Sequence, residues 1–303
     1  MSPIVYEVLD FACGITDVRA QVVAQENGLT LFTGTFGPQV ESVVRKFGLD
    51  AMRPGDVFAT NIPYWGGTHT CDVCLVKPVF SDGRPIAFAV SVTHWIEIGG
   101  AVPGSISPEA TEIYQEGLQF PGVRVYSAGE RNDAVFDIIE ANIRLPRTGI
   151  GDLNAGVAAV GIGERRVVEM CERYGEGTVL AAFERILEHG ESIARAAIRE
   201  IPNGIYRAED VIDGDGHTDD PIPIAVTVTV DDDSIHADFT GTAPQVRGPI
   251  NCSVGALTSA CKTVVRAITA PQAQSNDGFF RPLTVTVPPR TVFSAEPPAP
   301  TGW

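Results

Sequence analysis

Short apolar runs bounded by turn residues dominate the first hundred positions, and this pattern predicts strands. Val5 to Ile15, Ala20 to Ala24 and Leu29 to Phe32 read as an opening set of strands, with an Asn27-Gly28 turn before the last. Val40 to Phe47 is amphipathic instead and ends at Gly48, which predicts a short helix. Pro54-Gly55-Asp56 then leads into a strand at Val57 to Thr60 and a Gly/Pro loop, NIPYWGGTH. Val73 to Phe80 and Ile86 to Thr93 flank Ser81-Asp82-Gly83-Arg84, whose Asp-Gly pair suits a tight hairpin. Gly99 to Pro108 is a long irregular stretch of the kind that is usually functional inside a compact domain.

From Asp152 to about Glu200 the apolar spacing becomes three-and-four, for example at Leu180, Phe183, Ile186 and Leu187. A break near Tyr174 to Gly177 divides it into two helices, and Pro202-Asn203-Gly204 stops the second. Alternation returns at Ile205 to Ile212, Ile224 to Val230 and Ile235 to Phe239, with Asp231-Asp232-Asp233 as a solvated turn. A helix over Val254 to Thr269, a last strand at Leu283 to Val287 and a proline-rich tail complete the chain. No solenoid-period repeat is visible. The pattern predicts a mixed α/β (α+β) protein: a β-rich region over 1–148, a helical pair over 149–203, and a second β-rich lobe with one helix over 204–303.

Composition narrows the function classes. The 303 residues include 22 Lys+Arg against 38 Asp+Glu, a net charge of −16, with 44% apolar residues, enough to build a sizeable core. That acidity repels phosphate backbones, and no basic run overrides it, so nucleic acid is not an expected partner. No apolar stretch approaches the roughly 18 residues needed to span a bilayer. The opening carries Glu7 and Asp10 and no basic n-region, so the expected location is the cytoplasm.

Six cysteines are too sparse for a disulfide framework, and Cys71-x-x-Cys74 lies in an apolar, strand-like run, so both read as small core residues. Gly149-Ile150-Gly151-Asp152 imitates part of a dinucleotide loop but follows no strand, and Asp152 reads as a helix cap. Asp213-Gly-Asp215-Gly resembles a calcium loop without its closing Glu and reads as a solvated turn. There is no GxxxxGK[ST] to cradle ATP phosphates and no GxSxG to present a serine nucleophile.

One spacing occurs twice: His69-x-x-Asp72 in GGTHTCD and His94-x-x-Glu97 in THWIEIGG. Each supplies an imidazole and a carboxylate, ligand types that suit zinc, manganese or iron. The two motifs stand at comparable distances either side of the Asp82-Gly83 turn, so antiparallel pairing returns all four side chains to one end of a ribbon. Gly66-Gly67 and Gly99-Gly100 flank the motifs and allow close backbone approach.

At these residues the chain resembles the hydantoinase B/oxoprolinase family. The matching segments, in order, are DFACGITD, RPGDVFATNIPYWGGTHTCDV, THWIEIGGAVPGS, EIYQEGLQFPGVRVY, ANIRLPRTGIGDLNAGVAA, GERRVVEMCERYG, HADFTGTAPQVRGPIN and DGFFRPLTVTVPP. The resemblance implies a subunit that holds a divalent metal and acts with an ATP-binding A-type subunit in a hetero-oligomer, opening a cyclic amide such as a hydantoin, oxoproline or lactam. It implies Asp10, His69, Asp72 and His94 as metal ligands, and Glu97 is left as the candidate catalytic residue. A ketone carboxylase component of the acetone or acetophenone type is the second reading, and a non-catalytic scaffold or fragment the third.

The chain also departs from the family. Relatives often carry DPYHGGTH and HHADIGG where Trp65, Trp95 and Glu97 stand here, and these aromatic replacements imply a more apolar pocket that favours the ketone branch. The beginning just before DFAC and the stop soon after FRPLTVTVPP imply a middle portion of the family's B-type polypeptide.

Overall fold

The structure is a computed structural model that describes residues 1–26 and 29–303, so the expected Asn27-Gly28 turn lies outside the described residues. In chain order it runs β1 (Phe11–Asp17), β2 (Val22–Gln25), α1 (Thr30–Thr33), α2 (Phe36–Phe47), β3 (Val57–Thr60), β4 (Asp72–Ser81) and β5 (Arg84–His94). Then follow β6 (Pro121–Ser127), β7 (Glu130–Arg131), α3 (Asp133–Asn142), α4 (Pro146–Tyr174) and α5 (Glu176–Ile198). The last part contains β8 (Gly204–Ile212), β9 (Ile222–Asp231), β10 (Ser234–Asp238), α6 (Val254–Thr269) and β11 (Leu283–Thr286).

The first seven strands make one antiparallel sheet in the order β2-β1-β5-β4-β3-β6-β7. Its two faces bury different side chains because strand residues alternate. One face carries Ala12, Phe58, Val76, Phe88 and Val92 against Phe36, Val40 and Val43 of α2. The other carries Val73, Leu75 and Ala89 against Leu153 and Val160 of α4 and Phe183 of α5. With both faces covered, β4 and β5 have no solvent side, which is why their sequences are nearly continuous apolar runs. Each large side chain buried there contributes roughly 1.5–3 kcal/mol relative to exposure.

The second sheet runs β11-β10-β9-β8, with β10 and β11 parallel and the other pairs antiparallel. Ile198 of α5 and Val265 of α6 pack on Val230 and Ile235, and Leu257 of α6 on Ala237 and Phe239. α6 also reaches back to the first sheet's side of the molecule, where the Ser259 hydroxyl donates to the Leu31 carbonyl. Among the described residues no helix is long and apolar enough to cross a membrane.

Four readings of the sequence need correction. Val5 to Ile15 is not one strand: Ile4–Val8 forms a single wide helical turn closed by Leu9 at φ 60°, and the strand begins at Phe11. Thr30–Thr33 is a helical turn rather than a strand, since a run that short carries no decisive period. Asp152 does not cap a helix; α4 starts at Pro146, with proline in the first turn where no amide is missed, and Asp152 lies inside it, 1% exposed, accepting from the Ser2 amide at 2.6 Å. The turn at Asp213 to Gly216 is not fully solvated either, because Asp215 is buried and accepts from the amides of His217, Thr218 and Gly248.

Candidate metal centre

Three neighbouring strands of the large sheet bring the cluster together. β1 begins, β5 ends and β4 begins at the same edge, where Asp72 stands directly opposite His94 and the His94 amide donates to the Asp10 carbonyl at 3.1 Å. The register depends on a bulge. Near the turn Ser81 faces Arg84 and Phe80 faces Pro85, but beyond it Val79 faces Ala87, so Ile86 is an extra residue. Without that step Asp72 would face Thr93, whose side chain points to the other side of the sheet.

His69 sits one tight turn before β4. The Asp72 amide donates to the His69 carbonyl at 3.0 Å, and the His69 amide donates to Asp72 Oδ2 at 2.9 Å. Thr68 donates its hydroxyl to the same oxygen. The glycines expected to shape these loops do so: Gly66 has φ 103°, and Gly99 has φ 84° with the Asn142 carbonyl so close that a Cβ would lie 2.3 Å from it.

Asp72 is the hub. His69 Nδ1 lies 2.9 Å from Oδ2 and His94 Nδ1 lies 2.6 Å from Oδ1, while the carboxylate is 1% exposed. One ligand atom from each of His69, Asp72 and His94 can be chosen so that all lie within 4.8 Å of one another. Burial alone would push the Asp72 carboxyl up, but the two imidazoles outweigh it and hold it well below the usual carboxylate range. Burial likewise lowers both imidazoles, and the Asp72 charge reverses that and raises each above its ordinary value.

Asp10 immediately precedes β1, close enough to feel the charges of His94, Asp72 and His69. Burial raises its carboxyl, with His94 pulling it down, and its Oδ1 is buried with no hydrogen-bond partner among the described residues. A carboxylate oxygen hidden from water without a donor is costly unless a cation compensates it. The group whose ligand atoms converge is His69, Asp72 and His94, two imidazoles and a fully buried carboxylate, donor types that fit a divalent cation; Asp10 is not part of that group.

Glu97 does not join them. The chain leaves β5 at His94, and Glu97 Oε1 accepts from the Gly99 amide and from Arg144 Nη1, each within 2.7 Å, while Oε2 accepts from the Arg144 amide at 2.6 Å. Ser105 Oγ lies 3.3 Å from Oε1 and also receives the Ile98 and Gly100 amides. Burial raises the Glu97 carboxyl, but the Arg144 and Gly99 donors bring it below its ordinary value. Its geometry is that of a clamp closing the Gly99 to Ser105 loop.

Trp95 is likewise placed away from the cluster. It is 1% exposed in the core with Ile143 and Phe120 and packs over Gly149, so it does not make the metal-side pocket apolar. Trp65, by contrast, is 36% exposed. Cys71 and Cys74 are buried, unpaired thiols that burial keeps protonated, as expected of core residues.

Glu116 was not legible as a site residue. It is 2% exposed, electrostatically coupled to His69, and accepts from the amides of Thr301 and Gly302 at 2.6 and 2.8 Å and from Thr70 at 3.3 Å. Burial raises its carboxyl despite those donors. It thus ties the tail to the loop that carries His69.

A doubly covered antiparallel sheet thus carries a His-Asp-His group at the ends of adjacent strands whose ligand atoms could hold a metal ion. The sequence profile of the Hydantoinase B/oxoprolinase family matches residues 1–303, and the chain belongs to that family. It is 36% identical over 315 residues to the B component of a putative D-/L-hydantoinase of Pseudomonas sp. (strain NS671), covering 99% of this chain and 53% of that protein. It is 30% identical over 292 residues to the beta component of the caprolactamase of Pseudomonas jessenii, covering 96% of this chain and 50% of the relative. The crystal structure of the ATP-dependent caprolactamase from Pseudomonas jessenii superposes with a TM-score of 0.91 at 30% identity, over 96% of this chain and 50% of that one. A nucleotide-free acetone carboxylase structure gives a TM-score of 0.93 at 19% identity, covering 99% of this chain and 41% of that chain, which is a likeness of fold. The chain spans about half the length of these hydantoinase and caprolactamase relatives.

Proposed function

We propose that this chain is the metal-holding part of an ATP-dependent hydrolase of cyclic amides and works with a separate ATP-binding subunit. The observation that carries this reading is the His69–Asp72–His94 cluster in a chain of this family. Relatives named as components of a hydantoinase and of a caprolactamase support the substrate class and the partnership.

His69, Asp72 and His94 would hold the cation, with Asp10 as a fourth donor. When bound, a zinc, manganese or iron ion there supplies Lewis-acid polarisation of a carbon-oxygen group. Asp72 lies against the Nδ1 atoms of both imidazoles, which brings the three donors to one place. Glu97 and Arg144 hold the adjoining loop in place, so Glu97 serves as a positioning residue. The ketone carboxylase reading keeps Trp65 as its only support in the chain, since Trp95 is in the core.

The test combines the chain with its ATP-binding partner and measures ATP-dependent ring opening of a hydantoin, 5-oxoproline and caprolactam, beside carboxylation of a ketone. Ring opening of at least one cyclic amide is expected, falling at least about 100-fold in a folded His94→Ala variant. Ketone carboxylation alone, or full activity in His94→Ala, would overturn the proposal.

A further inference from the structure

β8 is an edge strand of the second sheet. It pairs with β9 along its whole length from Gly204 to Ile212, and nothing pairs with its other side among the described residues. Residues 206–211 are all exposed, and Ile205, Tyr206 and Val211 are 58%, 46% and 50% exposed. Proteins normally protect such an edge with proline, a bulge, charged side chains or a covering segment. β8 holds no proline and no bulge, and the charges it presents are Arg207, Glu209 and Asp210, the last accepting from the Val211 amide at 2.8 Å.

The sequence of the strand reads differently when turned upon itself. Antiparallel pairing of two copies about a two-fold axis at Ala208 sets Arg207 opposite Glu209 of the other copy, and does so twice. The same register sets Ile205 opposite Val211, again twice, on the same face of the sheet as the charges. On the other face Tyr206 meets Asp210, and Ala208 meets itself with only methyl groups at the axis. Antiparallel ladders contain local two-fold axes at both kinds of residue pair, so the register is allowed. Moving the axis one residue either way sets Arg207 opposite Arg207 or Glu209 opposite Glu209, which replaces the charge match by like charges at the centre.

We infer that β8 is the docking edge for a second copy of this chain, joining two four-stranded sheets into one of eight about an axis at Ala208. Charge complementarity selects this occupant. Arg207 and Glu209 form no ion pair within the chain among the described residues, so both are free to pair across the edge. The net charge of −16 on each copy opposes association at long range, and physiological salt screens that repulsion beyond about 8 Å while leaving the direct pairs. The interface is independent of the metal centre.

Sedimentation equilibrium of the 303-residue chain at physiological salt tests this inference. A concentration-dependent dimer is expected. Arg207→Glu and Glu209→Arg each place like charges opposite one another twice and should weaken it roughly tenfold. Combining the two reversals restores opposite charges and should restore the dimer. Oxidised Ala208→Cys should give a disulfide-linked dimer that the wild-type chain, treated identically, does not, since facing residues lie within disulfide reach. A wild-type monomer at all concentrations overturns the inference, as does a dimer indifferent to the single reversals. Hydrogen-exchange protection of the outer β8 amides in a monomer would do so too, because another segment would then occupy the edge.

Discussion

Asp72→Asn is expected to lower stability by roughly 3 kcal/mol, because it leaves two imidazoles that were arranged around a buried charge without it. The substitution keeps the shape of the side chain, so the loss reports the charge. Thermal and denaturant unfolding of the metal-free protein measure it. The pH dependence follows from the direction of each shift. The Asp72 carboxyl is held below its ordinary value, so its contribution is present above the pKa of an unfolded aspartate and is lost as pH falls through the lower folded value. The imidazoles are raised, so their contribution is full below the unfolded histidine pKa and is lost as pH rises through the higher folded values. The difference between wild type and variant should therefore be largest in mildly acidic solution and shrink on both sides. A difference that is flat with pH would contradict a charged Asp72 between two protonated imidazoles.

Glu116→Ala carries the second large effect. Its carboxylate accepts two tail amides in a buried position, and deleting it leaves the Thr301 and Gly302 N–H groups without acceptors. A loss of roughly 2 kcal/mol is expected. Hydrogen exchange gives the sharper readout: the Thr301 and Gly302 amides should lose protection while those of β4 and β5 keep theirs. Glu116→Gln retains an acceptor and should fall between. Unchanged protection at both tail amides would show that the tail is held by its other contacts, such as Asn251 to the Pro300 carbonyl.

The parts of this site that the sequence made legible are those set by local chemistry. The Asp-Gly turn and the two apolar runs announced the hairpin, and the hairpin placed Asp72 beside His94. His69 followed because three residues back from a strand start is one turn. Glu97 sat at the same spacing yet left the cluster, because the strand ends at His94 and Arg144 captures the acid from a helix connection 47 residues away. The bulge at Ile86 has no signature in the run that contains it. Glu116 depends on a tail 185 residues downstream, a contact that no periodicity encodes. Among the elements, the long helices and the alternating strands of the second sheet were plain, whereas α3, β6 and β7 are short and lie in mixed stretches where polar and apolar residues keep no sustained period.

The account turns on a cation shared by His69, Asp72 and His94, and metal analysis by mass spectrometry after dialysis against zinc, manganese or iron addresses it most directly. About one bound ion per chain is expected in the wild type, with near-complete loss in both His69→Ala and His94→Ala while each variant retains its circular dichroism spectrum. A well-folded wild-type chain that binds none of the three metals, or variants that retain the full complement, would contradict it.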